Sequence, residues 1–396
     1  MNTKSIEKNF LLCAALSGAL FLWSCGGSGG GGSSGSSTPT GTVNVQLTDS
    51  PACGFNSVNI TVDHVEISAD GNSWTTIPVD SAVGRIDLLS LTNGVLVTLG
   101  QTPLPAGTYQ QVRLVLKENG SAAPWANSVV ITGATSETAL KTPSAQQSGY
   151  KIIGPFTVQE GKLTDLVLDF DACKSVVVAG KSGQYLLKPV VTAIAKDASG
   201  SISGTTVANS QVLAEQQSTS GPVVVKGTVA DSTGAFTLAF MESGSNVDVV
   251  VVPPPTAMRA TAIVQNVPVA TGAATSIGNI NPATSTINTV SGTVTEKSTG
   301  SAIAANLVAE QTITGTNRTY VVTSTVTDTG PYSIPLAASG PWVGTFGSLP
   351  ILLIQDIAVA DVGVYSITAT DALGYSSTQQ TNVSTGPASV NFNLGP

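Results

Sequence analysis

The sequence predicts an all-β protein: an N-terminal β-sandwich-like domain followed by two smaller β-sandwich modules. Three observations predict it. Charged residues make up only 10% of the 396, while Gly, Ser, Thr and Val abound, a composition that favours strands and turns over helices. From Gly41 onward, apolar and polar residues alternate with period two. Two stretches of the C-terminal half repeat one another.

The first domain spans residues 41–197. Val43, Val45 and Leu47 alternate with Thr42, Asn44 and Gln46, and Val58, Ile60 and Val62 follow in the same rhythm. The phase slips at Asp63-His64 before Val65 and Ile67, as a β-bulge requires. Asp70-Gly71 marks a turn, with Trp74 on the returning strand. Val112, Leu114 and Leu116 make a further strand, as do Leu166, Leu168 and Phe170. Val176-Val177-Val178 and Pro189-Val190-Val191 read as short runs buried on both faces. Ile86 to Leu91 is the one place in this domain for a helical turn.

The modules span residues 198–287 and 288–396. Gly204, then Val212-Leu213-Ala214-Glu215-Gln216 and Asp231-Ser232-Thr233-Gly234-Ala235-Phe236, have counterparts at about 90 residues' distance. These are Gly292-Thr293-Val294, Leu307-Val308-Ala309-Glu310-Gln311 and Asp328-Thr329-Gly330-Pro331-Tyr332. Each copy reads as two strands, an Asp…Gly turn and a strand opened by an aromatic. Pro253-Pro254-Pro255 is a stiff loop inside the first copy.

The N-terminus carries the address. Lys4 and Lys8 precede an apolar stretch of 14 residues, Phe10 to Trp23, shorter than the ~20 that span a bilayer. Leu22-Trp23-Ser24-Cys25 resembles the lipobox of bacterial lipoproteins, with a bulky Trp as its loose fit. The resemblance implies a signal peptide over residues 1–24 and a lipid on Cys25. Residues 25–40 are then a Gly/Ser tether, holding the first domain roughly 20 Å from the lipid. Gly26, not Asp, follows the cysteine, which by the sorting rule of such lipoproteins implies the outer membrane.

Charge and cysteines agree with export. The formal charge is −8, and removing Lys4, Lys8 and Glu7 leaves about −9. An acidic chain without cationic runs is a poor nucleic-acid binder. Besides Cys13 in the signal and Cys25, only Cys53 and Cys173 remain, most simply as a disulfide in an oxidising compartment. It would close a loop of about 120 residues, valued at roughly 4–5 kcal/mol. No CxxC occurs to suggest a zinc or redox site.

Several motifs dissolve in context. Gly27 to Gly32 satisfies GxGxxG and Gly31 to Gly35 satisfies GxSxG, but both lie in the tether, without the strand and helix their chemistry needs. Gly180-Lys181-Ser182 resembles the end of a P-loop, yet Ser175 stands where the leading Gly belongs, so a hairpin turn is the reading. His64, the only histidine, reads as a surface or turn residue.

The notable carboxylates are Asp49, Asp165, Asp169 and Asp171. Asp169 and Asp171 share one strand face, and paired carboxylates bind calcium or act as acid and base. Leu168 and Phe170 claim the core, which sends both acids into solvent with ordinary pKa values. Asp49, before Ser50-Pro51, reads as a turn residue bonding its own backbone. Trp74, Trp125 and Trp342 are candidates for sugar stacking or for core.

Residues 41–197 also resemble the family filed as domain of unknown function four-three-eight-two, found in Gram-negative lipoproteins. The resemblance rests on Val45 to Cys53, Ile86 to Leu91 with Asn93-Gly94, Leu104 to Tyr109, Leu168 to Cys173 and Leu187 to Val190. It implies a secreted β-rich domain without an assigned activity. The later modules are similar to carboxypeptidase-regulatory-like, transthyretin-like sandwiches, through Gly292 to Val294, Asp328 to Ile334 and Tyr365 to Ala369. Such modules serve as spacers, adhesin stalks and sugar-binding units.

Together these point to a lipid-anchored envelope protein with a non-catalytic binding, adhesive or structural role, and no cofactor. Its partners are the membrane and an envelope polysaccharide or protein. A carbohydrate-binding accessory lipoprotein and a metal-assisted hydrolase on Asp49, Asp169 and Asp171 are the alternatives.

Overall fold

A computed structural model describes residues 38–50, 55–132, 134–143, 149–179 and 184–396. The signal, Cys25, the glycine motifs of the tether, Cys53 and the Gly180-Lys181-Ser182 segment expected to be a turn lie outside the described residues.

Strand Thr40–Ser50 is the spine of the first domain. It pairs in parallel with Leu163–Asp171 and antiparallel with Val97–Pro105, and Val191–Ala195 extends the sheet beyond Leu163–Asp171. Val43, Val45 and Leu47 are fully buried against Leu166, Leu168 and Phe170, because period-two apolar residues put one whole face of each strand into the core. Two more sheets enclose the same core: Tyr150–Val158, Gly107–Leu116, Val62–Ser68 and Thr75–Pro78 in one, and a six-stranded sheet around Phe55–Ile60 in the other. The phase slip near His64 is a register shift between Val62 and His64 against Gly107–Leu116.

The helical turn expected at Ile86 to Leu91 is a 3-10 turn over Leu88–Ser90, opened by the Asp87 carboxylate accepting from the Leu89 amide. Val176–Ala179 and Gln184–Leu187 pair antiparallel on either side of the Gly180-Lys181-Ser182 segment. Val190 departs from expectation: it is exposed rather than buried on both faces.

The repeat in the sequence is a repeat in space. In the first copy a three-stranded sheet, ordered Ala235–Glu242, Ser199–Thr205, Ala274–Asn279, lies over Gly221–Val229, Gln211–Ser218, Asn246–Val252 and Ala262–Pro268. In the second, Pro331–Ala337, Ile287–Glu296 and the closing strands Ala388–Ser389 and Phe392–Leu394 lie over Arg318–Thr327, Ala305–Ile313, Val364–Thr370 and Ser376–Asn382. The matched glycines do the same work: a Cβ on Gly204 would meet the Phe236 ring at 2.7 Å, and one on Gly292 would meet the Tyr332 ring at 3.1 Å.

The copies differ most in one insertion. Between its fourth and fifth strands the second copy carries a long insertion, and this returns to the first copy. Trp342–Thr345 pairs in parallel with Ala262–Pro268, and Ile354–Gln355 pairs back on it, extending that sheet to six strands. Ile351 joins the core of the first copy, with Trp342, Phe346 and Leu353 packed against it. The strap fits because Gly344 lacks a side chain: a Cβ there would meet the Leu352 carbonyl at 2.6 Å.

Candidate functional site

The acidic strand was expected to face water, and it does not. Parallel pairing sets Thr48 beside Asp169 and Asp49 beside Phe170. Asp49 therefore shares the core face with Leu47 and Phe170, while Asp169 and Asp171 share the other. That second face is covered by the next module. Asp169 is only 12% exposed, and Lys226, itself 5% exposed, reaches it at 2.6 Å. Burial pushes the Asp169 carboxyl up, and the Lys226 ammonium opposes the shift. Asp171 caps the short helix Ala172–Ser175, accepting from the Lys174 amide at 3.0 Å and pairing with its ammonium at 2.8 Å. The alternation was read correctly; what the pattern could not show is that a neighbouring domain lies on the outer face.

Asp49 is also corrected. It lies within strand Thr40–Ser50 rather than in a turn, and its Oδ1 accepts from the Ala172 amide at 3.0 Å, 123 residues away. Its Oδ2 is buried without a hydrogen-bond partner, and burial holds its carboxyl well above the usual range. Because Asp49 lies on the opposite sheet face, the three carboxylates do not converge. Among the described residues no group of three His, Cys, Asp or Glu side chains is placed to hold a metal ion. Asp165 is engaged by the Asn44 amide at 2.6 Å.

Lys226 belongs to a seam that sequence reading missed. Asn93, in the left-handed region at φ 58°, sends its amide nitrogen to the Val229 carbonyl at 2.7 Å. Its Oδ1 accepts from the Thr228 hydroxyl at 2.8 Å and the Thr237 amide at 3.0 Å. The Lys174 ammonium donates to the Val224 carbonyl at 3.0 Å. Thus both lysines near the acidic strand bridge the first domain to Gly221–Val229.

A second seam joins the two modules. Arg318 Nη1 lies 3.0 Å from both Asp248 oxygens, and the Tyr320 hydroxyl donates to Asp248 Oδ2 at 3.0 Å. Gln265 donates to that hydroxyl at 2.8 Å, and Leu213, Val250, Ile263, Ile313 and Tyr320 form a small shared core. Glu215 is fully buried here, accepting from the Val321 amide at 3.0 Å through Oε2 while Oε1 is unpartnered. Burial, reinforced by Asp248 and Glu310, pushes its carboxyl up to about 8. The missed residues left a trace in the sequence: Lys226, Asp248 and Glu215 each interrupt an apolar strand, where a charge persists only if a partner answers it.

The remaining candidates are surface and packing residues. His64 Nδ1 lies 2.7 Å from Asp63 on the exterior. The Arg113 guanidinium sits 3.6 Å above the Trp74 ring and pairs with Glu66, so that ring face is occupied. Trp342 packs on the core of the first repeat copy through the strap.

These features define a multidomain all-β protein whose buried charges fasten one domain to the next. The sequence model of a family described as a domain of unknown function, DUF4382, matches residues 40–189. No curated protein matches the chain in sequence. Among solved structures, the TIE protein of Bacillus anthracis aligns at 11% identity and a TM-score of 0.19, over 90% of this chain and 51% of its own. This chain therefore spans about half the length of that protein. A streptococcal ancillary pilin aligns at 10% identity and 0.18, over 90% of this chain and 99% of its own. The major pilin subunit of Bacillus cereus aligns at 10% and 0.17, with the same coverage.

Proposed function

We propose that this chain is a non-catalytic protein of the outer membrane, held by lipid on Cys25. Its domains, the later two of the carboxypeptidase-regulatory-like kind, space or present a surface to an envelope polysaccharide or protein. The observation that carries the reading is the use made of charge. Asp169, Lys226, Asp248 and Arg318, which in an enzyme would face a substrate, instead face one another across domain boundaries. Catalysis by acids and bases needs groups poised beside a reacting atom in a dry pocket, and these are already neutralised by their partners. Lipidation follows from Leu22-Trp23-Ser24-Cys25, and a Cys53–Cys173 disulfide belongs to the same exported setting.

Labelled palmitate should enter the wild-type chain and not Cys25→Ala, and the wild type should fractionate with outer membranes. Label retained by the variant overturns the anchor. Turnover of esterase, glycosidase or peptidase substrates by the purified chain, with calcium and zinc supplied, overturns the non-catalytic reading.

A further inference from the structure

Both repeat copies are closed in the same way: the strand by which the chain enters lies parallel to the strand by which it leaves. In the first copy Ser199–Thr205 pairs with Ala274–Asn279, Ser201 beside Ala274 and Thr205 beside Asn279. Gly272 and Ile280 extend this ladder at its two ends, their amides donating to the Ser199 and Thr205 carbonyls at 2.8 Å. In the second copy Ile287–Glu296 pairs with Ala388–Ser389 through Val290 and Ser291, and with Phe392–Leu394 through Val294 to Glu296. The matched glycines admit these closing strands: a Cβ on Gly204 would meet the Gly278 carbonyl at 2.8 Å, and one on Gly292 would overlap the Val390 carbonyl. Between its two pieces the closing strand of the second copy is held by side chains as well. The Thr293 amide donates to Asn391 Oδ1 at 2.9 Å, and the Tyr332 hydroxyl to the Val390 carbonyl at 2.6 Å.

We propose that the two modules bear tension: in each, a pull along the chain loads the entering and leaving strands in shear.

In a parallel pair the start of one strand and the end of the other lie at opposite ends of the ladder. Force entering at Ser199 and leaving at Asn279 therefore slides one strand along the other, and all bonds of the ladder must give together. The same holds between Ile287 and Leu394. A pair pulled apart from one end instead yields one bond at a time, and each bond is weak alone. The two ladders stand in series, linked by residues 280–286. The first domain is built differently. Its parallel pair of Thr40–Ser50 with Leu163–Asp171 is longer, but the chain leaves by Val191–Ala195. That strand runs back toward the entry end, with Ala195 level with Val45. End-to-end shear is thus a property of the repeat copies. Such a load arises only if the modules are spacers between an anchor and a partner, the reading on which the proposal rests.

The test pulls single molecules of the full chain, in detergent, in two directions. One handle is always on a C-terminal tag; the other is clicked to an azide-bearing residue at Thr38 or at Ser298, both exposed. From Thr38 the closing ladder of the second copy is sheared. From Ser298, just past the end of Ile287–Glu296, the same ladder peels from one end. Opening of that copy, identified by the length of chain released, should need about twofold the force from Thr38, or more. Asn391→Ala/Tyr332→Phe should lower the Thr38 force and leave the Ser298 force nearly unchanged. A peel first meets the Lys297 amide bonded to the Leu394 carbonyl, which neither change touches. Equal forces in the two directions overturn the proposal. So does a Thr38 force that the double variant fails to lower. Neither pull involves lipid or substrate, so label retained by Cys25→Ala, or turnover, would overturn the function proposed above without altering the forces.

Discussion

Lys226 and Asp169 show how much one buried pair decides. Each was brought out of water against the other, so removing one leaves an uncompensated charge. Lys226→Met should cost about 3–5 kcal/mol in urea unfolding, and adding Asp169→Leu should recover most of the loss. Equal losses in the single and double variants would show the pair to be idle. Glu215 gives a pH test. Its carboxyl is raised from 4.5 to about 8, so the folded chain holds that proton more tightly than the unfolded chain. Its contribution is complete below about 4.5 and lost as pH rises through about 8, by up to about 5 kcal/mol. Glu215→Gln should flatten the decline in Tm between pH 5 and pH 9. An unchanged slope would place the titration elsewhere.

At the scale of elements, the sequence was most legible where one strand face meets the core. Thr40–Ser50, Gly107–Leu116 and Leu163–Asp171 follow their apolar alternation, and the bulge at His64 was visible as a phase slip. The outer face of Leu163–Asp171 was misread because alternation tells one face from the other and not what lies on each. A disulfide between Cys53 and Cys173 is a separate prediction, resting on the sequence and an oxidising compartment alone. Non-reduced peptide mapping of exported chain should recover the two joined. Reduction should then destabilise the first domain by up to roughly 4–5 kcal/mol. Free thiols at both positions would refute the bond.

On the scale of the whole molecule, the two seams predict joint unfolding. Hydrogen bonds through Asn93 join the first core to the second, and the Asp248–Arg318–Tyr320 cluster joins the second to the third. Scanning calorimetry of the intact chain should show one dominant transition, and Asn93→Ala with Lys226→Met should release the first domain as a separate, earlier one. Two well-separated wild-type transitions would mean the seams are weak. The seams were illegible beforehand because each half of a contact lies in a different domain, and nothing in a strand's own pattern names its distant partner. Only the oddity of a charge within an apolar run hinted at them.

The strap from the second repeat copy to the first has a consequence in time. A chain emerges from the ribosome N-terminus first. The first copy has all its own strands once Asn279 has passed, but its sheet and core are finished only by Trp342, Ile351 and Leu353. Until then the edge of Ala262–Pro268 is open, and this is when the chain is most exposed to pairing with a foreign strand. A premature stop shortly before residue 342 would therefore damage two modules rather than one, including a module whose own coding sequence is whole.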